Sequence, residues 1–90
     1  MIVSVKHNKE ISEVRKDMDK LATEMKMSVT WNADSTEATG VLDYSGFTVP
    51  GKINVSASSV TLSVELPRIA RMASGKISRE VKKQIEQALS

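Results

Sequence analysis

The chain of 90 residues has no cysteine, two prolines, four glycines, one histidine and one each of Trp, Tyr and Phe. Each scarcity excludes something. Without cysteine there is no disulfide staple and no thiolate metal site, which fits a reducing compartment. A single histidine, His7, rules out a two-histidine metal site within one chain. There is no Gly-x-Ser-x-Gly elbow and no glycine-rich phosphate loop, so a nucleophile and a phosphate cradle both lack their usual sequence context. No apolar run approaches the ~20 residues that span a bilayer, and "MIVSVKHNKE" lacks the apolar core of a signal peptide. The expectation is a cytoplasmic, non-enzymatic protein with no catalytic, cofactor or metal residues. With 90 residues it forms one domain.

What is present is hydrophobic periodicity. Ile2 to Val5 alternates as a short strand, with Val3 and Val5 on one face. Ile11, Val14, Met18, Leu21 and Met25 then recur at helical spacing, the stripe of an amphipathic helix. Asn8 is its expected N-cap, and Glu10 and Glu13 suit the positive end of its dipole. Near the other end, Ile77, Val81, Ile85 and Leu89 recur every four residues, with Ala88 beside them, as a second helix capped by Ser74. The segment "RIARMASG" before it is expected to make an irregular turn through Ile69 and Met72.

Between the helices, turn chemistry sets the strands. Two-residue loops at Ser45-Gly46 and Ser58-Ser59 and a four-residue loop from Asp34 to Glu37 give a four-strand meander. The first loop pairs Tyr44 with Phe47, Leu42 with Val49, Gly40 with Gly51 and Ala38 with Ile53. The second pairs Ala57 with Val60, Val55 with Leu62, Ile53 with Val64 and Gly51 with Leu66. The third sets Trp31 opposite Gly40 and Val29 opposite Leu42. One coherent apolar face results, and the opposite face (Thr48, Lys52, Asn54, Ser56, Thr61, Ser63, Glu65) meets water; a one-residue slip would invert both. In this register Trp31 fills the space above Gly40 and Gly51, and Pro50, lacking an N–H, predicts a bulge around residues 49–51. The fold class is α+β: a two-layer β-α-β-β-β-β-α domain with a curved antiparallel sheet and both helices on one face, a layout shared by helix-grip and TBP-like folds.

Two groups of residues are candidates for contact. Net charge is only +2, but Arg68, Arg71, Lys76, Arg79, Lys82 and Lys83 gather against the single acid Glu80. They read as a solubilising helix face or as an anion-binding patch for nucleic acid or an acidic surface; a charge of +2 is modest for a nucleic-acid binder. The second group is apolar: Trp31, Tyr44, Phe47, Val49, Ile69 and Met72. Trp31, Tyr44 and Phe47 on the inner sheet face read as core ahead of base-stacking aromatics, with Tyr44 and Phe47 at the rim of an apolar pocket. His7, at the strand-to-helix junction, reads as exposed or as bonded locally near the helix start, ahead of a catalytic role.

Several residues together carry a resemblance. His7 follows the first strand, "EVR" stands at 13 to 15, and Trp31 lies in the second strand. Next come "SGFTVPGKINV", "VTLSVELP" and a C-terminal I…V…I…L helix. In these features, which run nearly end to end, the chain resembles the small bacterial polyhydroxyalkanoic acid system proteins found with genes for storage-polyester granules. Between Gly46 and Gly51 it is longer than that family's usual Gly-x-x-Gly step. The resemblance implies an accessory role with no catalytic residues to carry over. The partners it implies are the polyester granule surface or a protein of that system, with a homodimer as a further candidate. The other readings are an anion-binding module and, third, a small-ligand carrier with a pocket between sheet and last helix near Trp31, Gly40 and Gly51.

Overall fold

A computed structural model describes residues 1–44, 47–66 and 68–90, with the backbone alone described at 43, 44, 47, 69, 70 and 73. The element order is β1 (Ile2–Lys6), α1 (Ile11–Glu24), β2 (Ser28–Trp31), β3 (Glu37–Tyr44), β4 (Phe47–Val55), β5 (Ser59–Val64), a 3-10 helix (Arg68–Ala73) and α2 (Ser74–Leu89). The five strands form one antiparallel sheet in the order β1-β5-β4-β3-β2. The chain therefore has the expected α+β layout, and β1 and β2 are the two edges.

The alternation of the strands decides which face meets the helices. Val3, Val5, Ala38, Leu42, Val49, Ile53, Val55, Val60, Leu62 and Val64 share one buried cluster with Val14, Met18 and Leu21 of α1 and Ile77, Val81, Ile85 and Leu89 of α2. Both helical stripes thus land on the same sheet face. The opposite residues of β4, Thr48, Pro50, Lys52 and Asn54, are exposed. Burying one aliphatic side chain is worth about 1.5–3 kcal/mol, so this single cluster is the main source of stability.

The β3–β4 register agrees with the expected pairing throughout: Tyr44 lies opposite Phe47, Leu42 opposite Val49, Gly40 opposite Gly51 and Ala38 opposite Ile53. The Ser45-Gly46 loop itself lies outside the described residues. The other two registers differ by two residues. Val55 pairs with Val60, Ile53 with Leu62 and Gly51 with Val64. The turn is Ser56–Ser59, where the Ser56 Oγ accepts from the Ser59 N–H at 3.0 Å and the Ser56 N–H donates to the Ser59 carbonyl at 2.8 Å. A serine that bonds its own turn centres the loop on Ala57-Ser58 rather than on the expected Ser58-Ser59. Likewise Trp31 pairs with Ala38 and Val29 with Gly40. Asn32 Oδ1 accepts from the N–H groups of Thr36 and Glu37, which centres that loop one residue earlier. A two-residue shift keeps every side chain on its face, so the core survived both errors.

Pro50 makes no bulge: it lies opposite Val41 in an uninterrupted ladder. Its carbonyl accepts from the Glu65 N–H at 3.2 Å. The N and C=O of one strand residue point to the same side, so the absent N–H would also have faced Glu65, just past the end of β5. The proline forfeits one bond at a strand end and nothing in the β3–β4 ladder.

The glycines are explained differently from the expectation as well. A Cβ on Gly40 would run into the Ser28 carbonyl oxygen, whereas one on Gly51 would press only on the flexible Met27 methyl, at 3.2 Å, with the Ser63 carbonyl oxygen at an ordinary 3.6 Å. Backbone contact with β2, not a covering tryptophan, requires Gly40. Two helix ends also differ. Glu10, not Asn8, precedes α1 in extended conformation and makes no side-chain cap bond, and Ser74 is the first residue of α2 rather than its cap. At the C-terminus of α1, Lys26 has φ 56°. Met27 N–H donates to the Ala22 carbonyl and Lys26 N–H to that of Thr23, a Schellman closure with lysine in the position glycine favours.

Candidate functional site

His7 is held at both ring nitrogens. Nδ1 accepts from the Lys9 N–H at 3.1 Å, and Nε2 lies 2.8 Å from the Ser56 carbonyl. A carbonyl only accepts, so the neutral ring carries its hydrogen on Nε2. The backbone N–H of His7 also donates to the Ser58 carbonyl at 2.9 Å. The Lys9 bond is the local one expected near the helix start, whereas the bonds to Ser56 and Ser58, which staple the end of β1 to the β4–β5 turn, were not expected. Among the described residues, no group of three or more His, Asp or Glu side chains is placed to hold a metal ion.

Trp31 is half-buried, packed on the core from the β2 edge. Its indole N–H donates to Asp19 Oδ1 at 2.6 Å, and the Arg15 guanidinium stands 5.6 Å from the ring centroid. Arg15 also donates to the Ser35 hydroxyl at 2.7 Å. These bonds tie α1 to β2 and to the loop after it. The sequence carried one signal of this, Arg15 and Asp19 one helical turn apart, but nothing said that Trp31 would meet them. Val49 is 2% exposed and belongs to the core. The side chains of Tyr44, Phe47 and Ile69 lie outside the described residues. Met72 is 95% exposed.

Among the described residues, three large hydrophobic side chains are exposed: Ile2, Val41 and Met72. Ile2 and Val41 lie toward the same end of the sheet, and Met72 follows Arg71 on the 3-10 helix. Val41 lies opposite Pro50, Pro50 and Ile2 border one groove with Glu65, and Arg71 borders the adjoining groove with Glu65, Leu66 and Met1. Arg68, Arg71, Lys76, Arg79, Lys82 and Lys83 are all exposed. None of the six forms an ion pair among the described residues, whose salt bridges are Lys9–Asp17, Arg15–Asp19 and Lys52–Glu37. The structure does not draw the six together: Arg71 sits at the Met1 end of the sheet, while Lys82 borders a groove with Lys6, His7, Asn8 and Lys9.

The space between helices and sheet is nearly filled. A void of about 20 Å³ lies among Met18, Leu21, Met25, Met27, Leu62 and Ile85, space on the order of one water molecule. Small-ligand sites are on the order of 300–1,000 Å³, so the interior offers a carrier no room in this conformation. The larger hollows are surface grooves, of which the one beside β1 and the end of α2 holds about 680 Å³. No helix among the described residues is long and apolar enough to cross a membrane.

A search of curated proteins returns no match. The model of one family, described as "putative polyhydroxyalkanoic acid system protein", matches residues 2–89, and so takes in both helices and all five strands. By that match the chain belongs to the polyhydroxyalkanoic acid system protein family.

Proposed function

We propose that the chain is a non-enzymatic accessory protein of the polyester-storage system, and that it works by binding the granule surface through the Met72 end of its sheet. The observation that carries this reading is that Met72, 95% exposed, follows the exposed Arg71 on the 3-10 helix, and that Arg71 borders the groove at the Met1–Glu65 end of the sheet, in a member of that family. A polyester chain offers alkyl groups and ester carbonyl oxygens, which only accept hydrogen bonds. A face that docks on it needs apolar side chains together with donors, and the Arg71 guanidinium supplies donors without an acceptor. A non-catalytic role is favoured by His7, whose ring nitrogens are both committed to backbone groups.

Co-sedimentation with isolated granules tests the reading. The wild-type chain is expected to pellet above a control protein of similar size, and Met72→Asp combined with Val41→Asp to lower the bound fraction severalfold. Both sites are exposed, so the fold should tolerate the change. A wild-type chain that stays in the supernatant overturns direct granule binding.

The anion-binding reading has one observation in its favour, that the six C-terminal cations are exposed and form no ion pair among the described residues. If it holds, binding to DNA, RNA or anionic vesicles falls steeply with added salt. No binding at low ionic strength removes it.

A further inference from the structure

The hydrogen-bond phase of β1 identifies which of its backbone groups are free. Met1 and Val64 exchange two bonds, each 2.8 Å, and the His7 N–H donates to the Ser58 carbonyl. In an antiparallel ladder bonded pairs alternate, so Met1, Val3, Val5 and His7 face β5. Ile2, Ser4 and Lys6 therefore point their N–H and C=O groups away from it, at the open edge. The 3.2 Å contact between the Ser4 and Thr61 hydroxyls agrees, because side chains approach most closely in non-bonded pairs. Among the described residues, no backbone bond outside the sheet involves these three.

We infer that this edge pairs with β1 of a second copy, antiparallel about a two-fold axis at Ser4, to make one continuous sheet. Four observations on β1 point to a second copy. The phase is self-complementary: centring on Ser4 sets Ser4 against Ser4 and Ile2 against Lys6, which engages all three open residues of each chain and forms about six backbone bonds. Centring on Val3 or Val5 leaves one open residue of each strand unmatched.

The charges agree too. Lys6 is the only ionised side chain of β1 and falls opposite Ile2 rather than opposite itself, so no like charges face each other. Ile2, 73% exposed in the single chain, gains the aliphatic stem of Lys6 as a neighbour. On the inner face Val3 falls opposite Val5, and the half-buried Met1 of the second copy comes beside the 680 Å³ groove bordered by Val5 and Leu89. The β2 edge does not offer the same: the Asn32–Glu37 bond sets its phase, leaving only Val29 and Trp31 facing outward.

Sedimentation equilibrium of the intact chain is expected to give twice 9.9 kDa. Ser4→Pro removes an N–H that β5 does not use, so the fold should remain by circular dichroism while the dimer dissociation constant rises on the order of tenfold or more. Ser4→Ala keeps the dimer.

Register has its own readout, because the chain contains no native cysteine. Facing residues of a bonded pair stand about 5.5 Å apart, within disulfide reach. Ser4→Cys is therefore expected to cross-link to itself under oxidation. Ile2→Cys is expected to cross-link to Lys6→Cys in a mixture, and neither to itself. A monomer at all concentrations, a dimer that survives Ser4→Pro with the fold intact, or Ile2→Cys cross-linking to itself overturns the inference. Should Ser4→Pro not fold, the cysteine pattern decides alone.

Discussion

The two edges of the sheet are built in opposite ways. The β2 edge is four residues long and is fastened to α1 by the Trp31–Asp19 bond and the Arg15 stack. Its neighbour Gly40 is pressed so closely on the Ser28 backbone that no side chain fits. The β1 edge has five residues, three of them with free backbone groups, and beside it lies an open groove. Unpaired edges invite another strand, and proteins blunt them by shortening or covering them. Here one edge is blunted and the other is not. The difference teaches that the β2 side of this molecule is committed to its own fold, while the β1 side keeps bonding capacity in reserve.

That contrast can be broken most severely at Gly40. Gly40→Ala forces a Cβ against a backbone carbonyl that has no free end to move, and should cost about 3 kcal/mol by urea unfolding. Gly51→Ala presses only on the flexible methyl end of a methionine and should cost less than about 1 kcal/mol. Equal effects of the two would show that the Ser28 contact does not constrain β2.

Proline placed along β1 sharpens the comparison next. Val5→Pro removes an N–H bonded to β5 and should destabilise the single chain by about 2–3 kcal/mol, against under about 1 kcal/mol for Ser4→Pro. Thermal unfolding at concentrations below dimerisation compares them.

Trp31→Ala strips the fastening from the other edge. For a half-buried indole the expected loss is about 2 kcal/mol, with faster amide exchange in β2 and no change in β1. Exchange rising equally at both edges would mean that Trp31 stabilises the whole core rather than its own side. The smallest effect lies where the chain enters β2: Lys26→Gly relieves a left-handed lysine and should stabilise by about 0.5–1 kcal/mol, seen as a small rise in Tm.

Much of this was legible in the chain. The helical spacing of Val14, Met18 and Leu21, and of Ile77, Val81, Ile85 and Leu89, names the residues that are buried. The β3–β4 register could be read because Gly40, Gly51 and the flanking apolar residues fix one alignment of the hairpin. The β4–β5 and β2–β3 registers could not, because several serines or polar residues in a row are interchangeable as turn positions until their side chains find particular N–H groups. Pro50 was misread because the side a backbone nitrogen faces depends on ladder phase, which no single strand reveals.

The candidate surfaces divide the same way. The excess of cations between Arg68 and Lys83 is a sequence fact, but their dispersal along the 3-10 helix and α2 is not. The sequence by itself determined the elements, the inner and outer faces and the family, since these follow from side-chain period and local patterning. Only the tertiary structure decided which strands became edges and which backbone groups were left unpaired. Those depend on hydrogen bonds between residues as far apart as Met1 and Val64, and local composition carries no record of them.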